Sequence, residues 1–257
     1  MQKANDSLIE VRELSKSFGG VKAVQGATFT LRPREIVAIV GDNGAGKSTL
    51  IKMLSGTHVP DSGEIIIEGE ARHFRSPHDA IGMGIETMYQ DLSLIPTLAA
   101  PANVFLGREL RRRTAGIQFL DHKSMERETR EVVKRLEMNL PSLKTPVEYL
   151  SGGQRQAVAL AKVLRTRQPR LLIMDEPTAA LGVKEQANLL RLIQRLKDEG
   201  IATLIVSHNL DHVMSAAERI IVMKTGRVVA DLRTDTTSKD DVARVIVTGT
   251  MSAPVSA

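Results

Sequence analysis

From Gly41 to Thr49 the chain reads GDNGAGKST, directly after EIVAIV (Glu35 to Val40) and ahead of a helical pattern. It satisfies the spacing Gly, four residues, Gly, Lys, then Ser or Thr, which is the pattern of a phosphate-binding loop when a strand precedes it and a helix follows. EIVAIV is almost wholly apolar, as a strand buried on both faces of a parallel sheet must be. Gly41, Gly44 and Gly46 let the backbone curl until successive N–H groups converge on phosphate oxygens, and the following helix adds the positive end of its dipole. The candidate phosphate cradle is therefore Gly41, Asp42, Asn43, Gly44, Ala45, Gly46, Lys47, Ser48 and Thr49. Lys47 supplies positive charge to the outer phosphates, and Ser48 supplies a hydroxyl for Mg²⁺.

Outward from this loop, LIEVREL, ATFTL and GEIIIEGE read as further strands, and the sequence returns to buried-strand patterns at RLLIMDEP and IATLIVSHN. Between those two, KEQANLLRLIQRLKDEG has the spacing of an amphipathic helix closed by Gly200. RIIVMKTGRVVADL alternates about Thr225-Gly226 like an antiparallel hairpin, and a short helix is predicted from about Ser238. The middle of the chain, in contrast, loses its β-branched runs and gains helix formers, as in HKSMERETREVVKRLEM and GGQRQAVALAKVLRT. The expected fold class is α/β. It has a mostly parallel core sheet, an antiparallel β portion and a helical insertion, within one domain over about 6–250. The core is expected at about 6–90 and 166–250, the insertion at about 91–165, and residues 251–257 as a flexible tail.

Composition removes several chemistries. With no cysteine among 257 residues, disulfides, thiolate metal sites, iron–sulfur clusters and cysteine nucleophiles are excluded. The amino end, MQKANDSLIE, lacks the apolar core of a secretory signal, and no stretch reaches the roughly 20 apolar residues needed to span a bilayer, so the expected location is cytoplasmic. A net charge of +5, two Tyr, five Phe and no Trp give little of the aromatic surface that nucleic-acid binding uses, and no nucleic-acid partner is expected. The densest basic run, Arg108 to Arg113, reads as a solvated helix end or loop.

Two further stretches carry chemistry. In LLIMDEP an apolar strand delivers Asp175 and Glu176 to its carboxyl end, the edge of a parallel sheet where ligands bind. Asp175 is the candidate Mg²⁺ partner and Glu176 the candidate general base for attack on a γ-phosphate; taken alone, two acids after a strand also suit a helix cap. In LSGGQRQAVALAKVL, Ser151, Gly152 and Gly153 precede a helix, which makes either a second anion-receptive helix start or an ordinary serine cap.

GDNGAGKST, LSGGQ from Leu150 to Gln154, LLIMDEP and the lone His208 in IVSHN stand in the order and spacing of ATP-binding cassette proteins, which the chain resembles over about residues 8 to 235. The resemblance implies an ATP-hydrolysing subunit with ATP and Mg²⁺ as ligands, working as a head-to-tail homodimer. In such a pair Ser151, Gly152, Gly153 and Gln154 of one copy close over ATP held by the other. It further implies that Phe18 stacks on adenine, that Gln90 in MYQDLSL senses Mg²⁺ and the attacking water, and that His208 reaches the γ-phosphate. After DEPTAAL, where the family has Asp, this chain has Gly182, which leaves communication across the dimer in doubt while the hydrolytic residues remain.

LSLIPTLAAPANVFLG, Leu92 to Gly107, is uncharged for sixteen residues yet holds two prolines. An apolar cover is expected, either the chain's own helices, a membrane-spanning permease subunit as the resemblance implies, or both. YQDLSLIPTLAAPANVFLGRE and EPTAALGVKE resemble the ATPases of bacterial importers for ribose, xylose and fructose, in their single-cassette, fructose-like branch. That implies a place on the cytoplasmic face of the inner membrane, peripheral through the permease, and an indirect link to an extracytoplasmic sugar-binding protein. The alternatives are a cassette for amino acids or lipids and a soluble cassette ATPase outside transport.

Overall fold

The computed structural model describes residues 7–114, 116–165, 169–179 and 181–250. The expected tail at 251–257 lies outside the described residues. The chain divides into two compact units, Met1–Thr87 with Pro169–Pro177 and Ile193–Ala257, and Met88–Gln168 with Thr178–Leu192.

The first unit is built on two sheets. β1 (Ile9–Phe18) and β2 (Val21–Leu31) pair antiparallel, and β4 (Ser62–Ile67) and β5 (Glu70–Arg72) extend them in the order β2-β1-β4-β5. β1 and β2 run further than their apolar stretches predict, through SKSF and VKAVQG, across bulges that polar residues tolerate at a solvated face. The second sheet has the order β12-β11-β3-β10-β9-β6. Its strands are β3 (Ile36–Val40), β6 (Ile85–Met88), β9 (Leu171–Asp175), β10 (Ala202–Val206), β11 (Arg219–Lys224) and β12 (Arg227–Arg233). β3 is parallel to β10 and β11, and β10 is parallel to β9. Every residue of β3, β9 and β10 is buried, so the apolar runs are explained by a sheet covered on both faces. Each such Val, Ile or Leu contributes roughly 1.5–3 kcal/mol of burial.

The β11–β12 hairpin turns at Thr225-Gly226, as its sequence predicts. Helices α1 (Lys47–Leu54), α2 (Pro77–Gly82), α7 (Leu210–Ala216) and α8 (Lys239–Thr248) complete this unit. α8 starts on a capping box, with Ser238 Oγ accepting from Asp241 N.

The second unit contains α3 (Ala100–Val104), α4 (His122–Arg135) and α5 (Gly152–Leu164), a short 3-10 turn at Val147–Tyr149, and the first part of α6 (Val183–Asp198). It also contains a hairpin of β7 (Arg111–Thr114) and β8 (Ile117–Leu120). Of the basic run Arg108 to Arg113, the first three residues are loop, as expected, and the last three are instead an exposed strand. Gly116, at φ +84°, supplies the left-handed turn that closes the hairpin, and Asp121 N extends the ladder to Leu110 O at 2.8 Å. The insertion is therefore mixed rather than purely helical.

The uncharged stretch 92–107 is covered in part. Ala100, Asn103, Val104 and Phe105 are buried, with α3 packed on α4 and α5. Ile95 and Leu106 stay exposed. The chain's own helices thus cover the middle of the stretch, from Ala100 to Phe105, and leave both ends open.

Candidate functional site

Three parallel strands deliver the site to one edge of the first unit's sheet. The glycine loop leaves β3, His208 follows β10, and Asp175 and Glu176 end β9, with β10 lying between β3 and β9. The loop is a cradle that side chains would fill. Gly41 has φ +150° and a Cβ there would lie 2.1 Å from Met223 O; Gly46 has φ +100° and a Cβ there would lie 2.3 Å from Ala23 O. Asp42, Asn43, Gly44 and Ser48 are exposed along the rim, Thr49 is half-buried, and Ala45 packs inward.

Lys47 is only 8% exposed, and its Nζ donates to Gly41 O at 2.7 Å and Asp42 O at 2.9 Å. The ammonium thus lies along the inner wall of the loop. Burial lowers its pKa, and the opposing charges of Glu176, Asp175 and Asp42 raise it. Across from it, Asp175 is buried, and burial followed by the neighbouring Glu176 raises its carboxyl pKa against the pull of Lys47. Two carboxylates in sequence, one of them desolvated, form a place that gains from a cation. The donor set fits Mg²⁺, which accepts one carboxylate and a hydroxyl and completes its shell with water and phosphate oxygens. Among the described residues no group of three or more His, Asp or Glu gathers to hold a metal, here or elsewhere, so a cation at this site draws on the loop hydroxyl, water and phosphate as well.

Glu176 adopts φ +50°, a left-handed conformation that costs a side-chain-bearing residue roughly 1–2 kcal/mol. Its N–H donates to Val206 O at 2.9 Å, which fastens the strained turn to the end of β10. The carboxylate Oε1 lies 2.9 Å from His208 Nδ1. Glu176 has a side chain 14% exposed and His208 one 69% exposed, so the pair points from the sheet edge into solvent. Nothing in LLIMDEP announces the strained backbone or this pairing; its sequence signal is only an acid at the carboxyl end of an apolar strand.

Phe18 ends β1 with 45% of its surface exposed and sets its ring edge-on to His58 at 5.2 Å, while Lys16 Nζ lies 5.8 Å from the ring centroid. An exposed aromatic face beside a cation can stack on a base. Gln90 belongs to the second unit, two residues beyond β6, and is exposed.

In the second unit, Ser151 caps α5. Its Oγ accepts from Gln154 N at 3.3 Å and Gln154 Oε1 accepts from Ser151 N at 2.9 Å, a reciprocal capping box. The serine-cap reading of LSGGQ is thus observed, and the box uses the N–H groups of Ser151 and Gln154 rather than those of Gly152 and Gly153. A pocket of about 280 Å³ opens there, lined by Ser151, Gly153, Gln154, Lys184 and Asn188 among others. Lys184 and Asn188 of α6 are not legible as site residues in the sequence. At Gly182 a Cβ would lie 2.7 Å from Glu185 Oε2, the end of a flexible side chain, so the absence of a carboxylate there is not imposed by space.

The chain matches the family model described as "ABC transporter" over residues 24–179. It is 43% identical to the xylose/arabinose import ATP-binding protein of Sulfolobus acidocaldarius, covering 93% of each chain. It is also 43% identical to the fructose import ATP-binding protein of Rhizobium meliloti, covering 98% of this chain and 97% of that one. A solved dimeric structure of the ATP-binding cassette MJ0796, in a post-hydrolysis state bound to ADP and Pi, superposes with a TM-score of 0.74 at 25% identity, over 88% of this chain and 98% of that one. With the phosphate loop, the paired acids and the capped glycine turn in one chain, and with relatives at this identity over nearly its whole length, the chain belongs to the ABC transporter family.

Proposed function

We propose that this chain binds and hydrolyses ATP to energise a membrane importer for a simple sugar of the fructose, ribose or xylose kind. The observation that carries the hydrolytic part is the 2.9 Å contact of Glu176 Oε1 with His208 Nδ1, at the sheet edge that also bears the glycine loop. Relatives named for xylose/arabinose and fructose import support the cargo class.

The backbone N–H groups of Gly44 to Thr49 hold the phosphates, and Lys47 turns from the loop carbonyls onto the outer phosphates. Phe18 stacks on adenine. Ser48 and Asp175 would hold Mg²⁺, with Gln90 sensing it as in the family, and the bound ion would supply screening of the charge on the outer phosphates. Glu176 accepts a proton from the water that attacks the γ-phosphorus, the bond from that phosphorus to the bridging oxygen breaks, and ADP and phosphate leave. His208 holds Glu176 in position and then donates to the γ-phosphate oxygens, where negative charge develops.

One chain has one phosphate loop and, in its other unit, one glycine-started helix, and as in the family a second copy completes the site. Ser151, Gly152, Gly153 and Gln154 of that copy close over the γ-phosphate, and the homodimer has two such sites. Closing on ATP and opening after hydrolysis moves the permease subunits, and a sugar-binding protein outside the membrane delivers the cargo to them. The exposed residues between Leu92 and Thr97 suit the permease contact, which sets the chain on the cytoplasmic face of the membrane. None of its described helices is long and apolar enough to cross a membrane.

Glu176→Gln tests the reading. Turnover falls by about 10²–10⁴-fold while ATP binding persists; unchanged turnover removes Glu176 as the base. Uptake of labelled fructose, ribose or xylose by vesicles carrying the assembled transporter tests the cargo, and uptake of amino acids alone overturns it.

A further inference from the structure

The β7–β8 hairpin of the second unit takes no part in the chemistry above, and its described side chains, Arg111 to Arg113 and Ile117 to Leu120, lack cover on either face. Arg111, Arg112 and Arg113 are exposed, and so are Ile117 (60%), Phe119 (49%) and Leu120 (45%). The register pairs Arg112 with Phe119 and Arg111 with Leu120. One face therefore carries Arg112, Ile117 and Phe119, and the other carries Arg111, Arg113, Gln118 and Leu120. A two-stranded hairpin exposed on both sides is marginal in water. Its strands hold neither the alternating polar pattern of a solvated edge nor the apolar face of a packed one.

The nearby carboxylates offset part of the positive charge, Glu109 attracting Arg111 and Asp121 attracting Arg112, but their hydrogen bonds go mainly elsewhere. Glu109 accepts from Gly107 N at 2.9 Å, and Asp121 accepts from Ser124 N at 3.1 Å and Ser124 Oγ at 2.9 Å to cap α4. Arg111 does donate to Gln118 Oε1 at 3.3 Å, a neutral partner. The hairpin thus interleaves three exposed guanidinium groups, two of them partly offset by a carboxylate, with three large exposed apolar side chains.

We propose that this hairpin binds the anionic headgroups of a phospholipid surface, with Arg111, Arg112 and Arg113 on the phosphates and Ile117, Phe119 and Leu120 at the headgroup–acyl boundary. It rests on the reading that the chain works beside a membrane. Charge complementarity selects an anionic surface, and exposed Phe, Ile and Leu beside arginine select one with an apolar layer beneath the charge. Size argues against a protein as the occupant, because a face of four side chains is far short of the roughly 20–30 residues a side of a stable interface. A single strand of nucleic acid would leave Ile117 and Leu120 without a role, since bases stack on aromatic rings. The contact adds a second, weak attachment to the one made through the permease.

Flotation of the full chain with vesicles tests the inference. The chain rises with vesicles of phosphatidylglycerol and phosphatidylcholine and stays down with phosphatidylcholine alone, and the binding falls as salt rises. Changing Arg111, Arg112 and Arg113 together to Glu lowers binding to the anionic vesicles by on the order of a hundredfold or more. The milder change of all three to Gln lowers it less, and Phe119→Ser with Ile117→Ser lowers it with the arginines intact. ATP turnover and melting temperature stay at wild-type values in each variant, which keeps a folding defect apart from loss of the surface. Equal binding to neutral vesicles, binding unmoved by the substitutions, or capture of an RNA oligonucleotide or an acidic permease segment in place of anionic vesicles overturns the proposal. These outcomes are separate from the ATPase reading, which fails instead if the unmodified chain does not hydrolyse ATP.

Discussion

Gly46→Ala probes the phosphate loop at the point where backbone geometry leaves least room. A Cβ at this position would lie 2.3 Å from Ala23 O, and the backbone sits at φ +100°. The loop must retreat by about 1 Å to reach an ordinary van der Waals contact, and the left-handed conformation adds roughly 1–2 kcal/mol of strain. A displacement of that size misaligns two of the amides that would hold a phosphate, each worth about 1.5–3 kcal/mol when the acceptor is charged. ATP affinity therefore falls by about 3–6 kcal/mol, on the order of 10²- to 10⁴-fold. Gly44→Ala is the control, since Gly44 has φ +82° but nothing within 4 Å of its Cβ position. It bears the strain alone and loses about tenfold. Titration calorimetry with ATP, on variants shown by circular dichroism to be folded, reads the difference. Equal affinities for the two variants, or a Gly46→Ala chain that binds like the unmodified one, refute the backbone cradle.

Other consequences follow from the same geometry. Asp175 has its pKa raised from 3.8 by burial. In the window above that value the native chain binds more protons than the unfolded chain, so stability declines as pH rises through it. Asp175→Asn should accordingly raise the melting temperature at neutral pH without nucleotide while removing Mg²⁺-dependent turnover; a lower melting temperature contradicts the desolvation argument. Phe18→Ala should weaken ATP binding by about 1–3 kcal/mol, the range of a base stacked on an aromatic ring, with turnover at saturating ATP unchanged, read as KM against kcat. Asn103→Ala should lower stability by about 2–4 kcal/mol, because Asn103 is fully buried and accepts from Ile95 N at 2.7 Å while donating to Leu98 O at 2.9 Å. A melting temperature within about 2 °C of the parent's argues that the stretch 95–99 does not depend on it.

The buried strands were legible because a sheet covered on both faces demands continuous apolar runs, as EIVAIV, LLIMD and ATLIV supply. GDNGAGKST was legible for a different reason: only glycine fits at 41 and 46, so the backbone constraint is written in residue type. The β7–β8 hairpin was not legible, because its strands are held by backbone pairing and carry arginine where a buried face would carry valine. Asn103 looked like one polar residue in an uncharged stretch. Its importance comes from bonds to Ile95 and Leu98, which no local pattern encodes. Glu176 was readable as an acid at a strand end, but its left-handed turn depends on Val206, thirty residues away in sequence. Lys184 and Asn188 likewise reach the pocket beside Ser151 only through the placement of α6 against α5.

The central claim is that a second copy's Ser151 completes the ATP site opened by the glycine loop of the first. Light scattering on the Glu176→Gln chain, with and without ATP and Mg²⁺, measures it most directly. Twice the single-chain mass with ATP, reverting to one chain when Ser151→Arg is added, is the predicted result. A mass of one chain at saturating ATP, or a dimer that Ser151→Arg leaves intact, contradicts it.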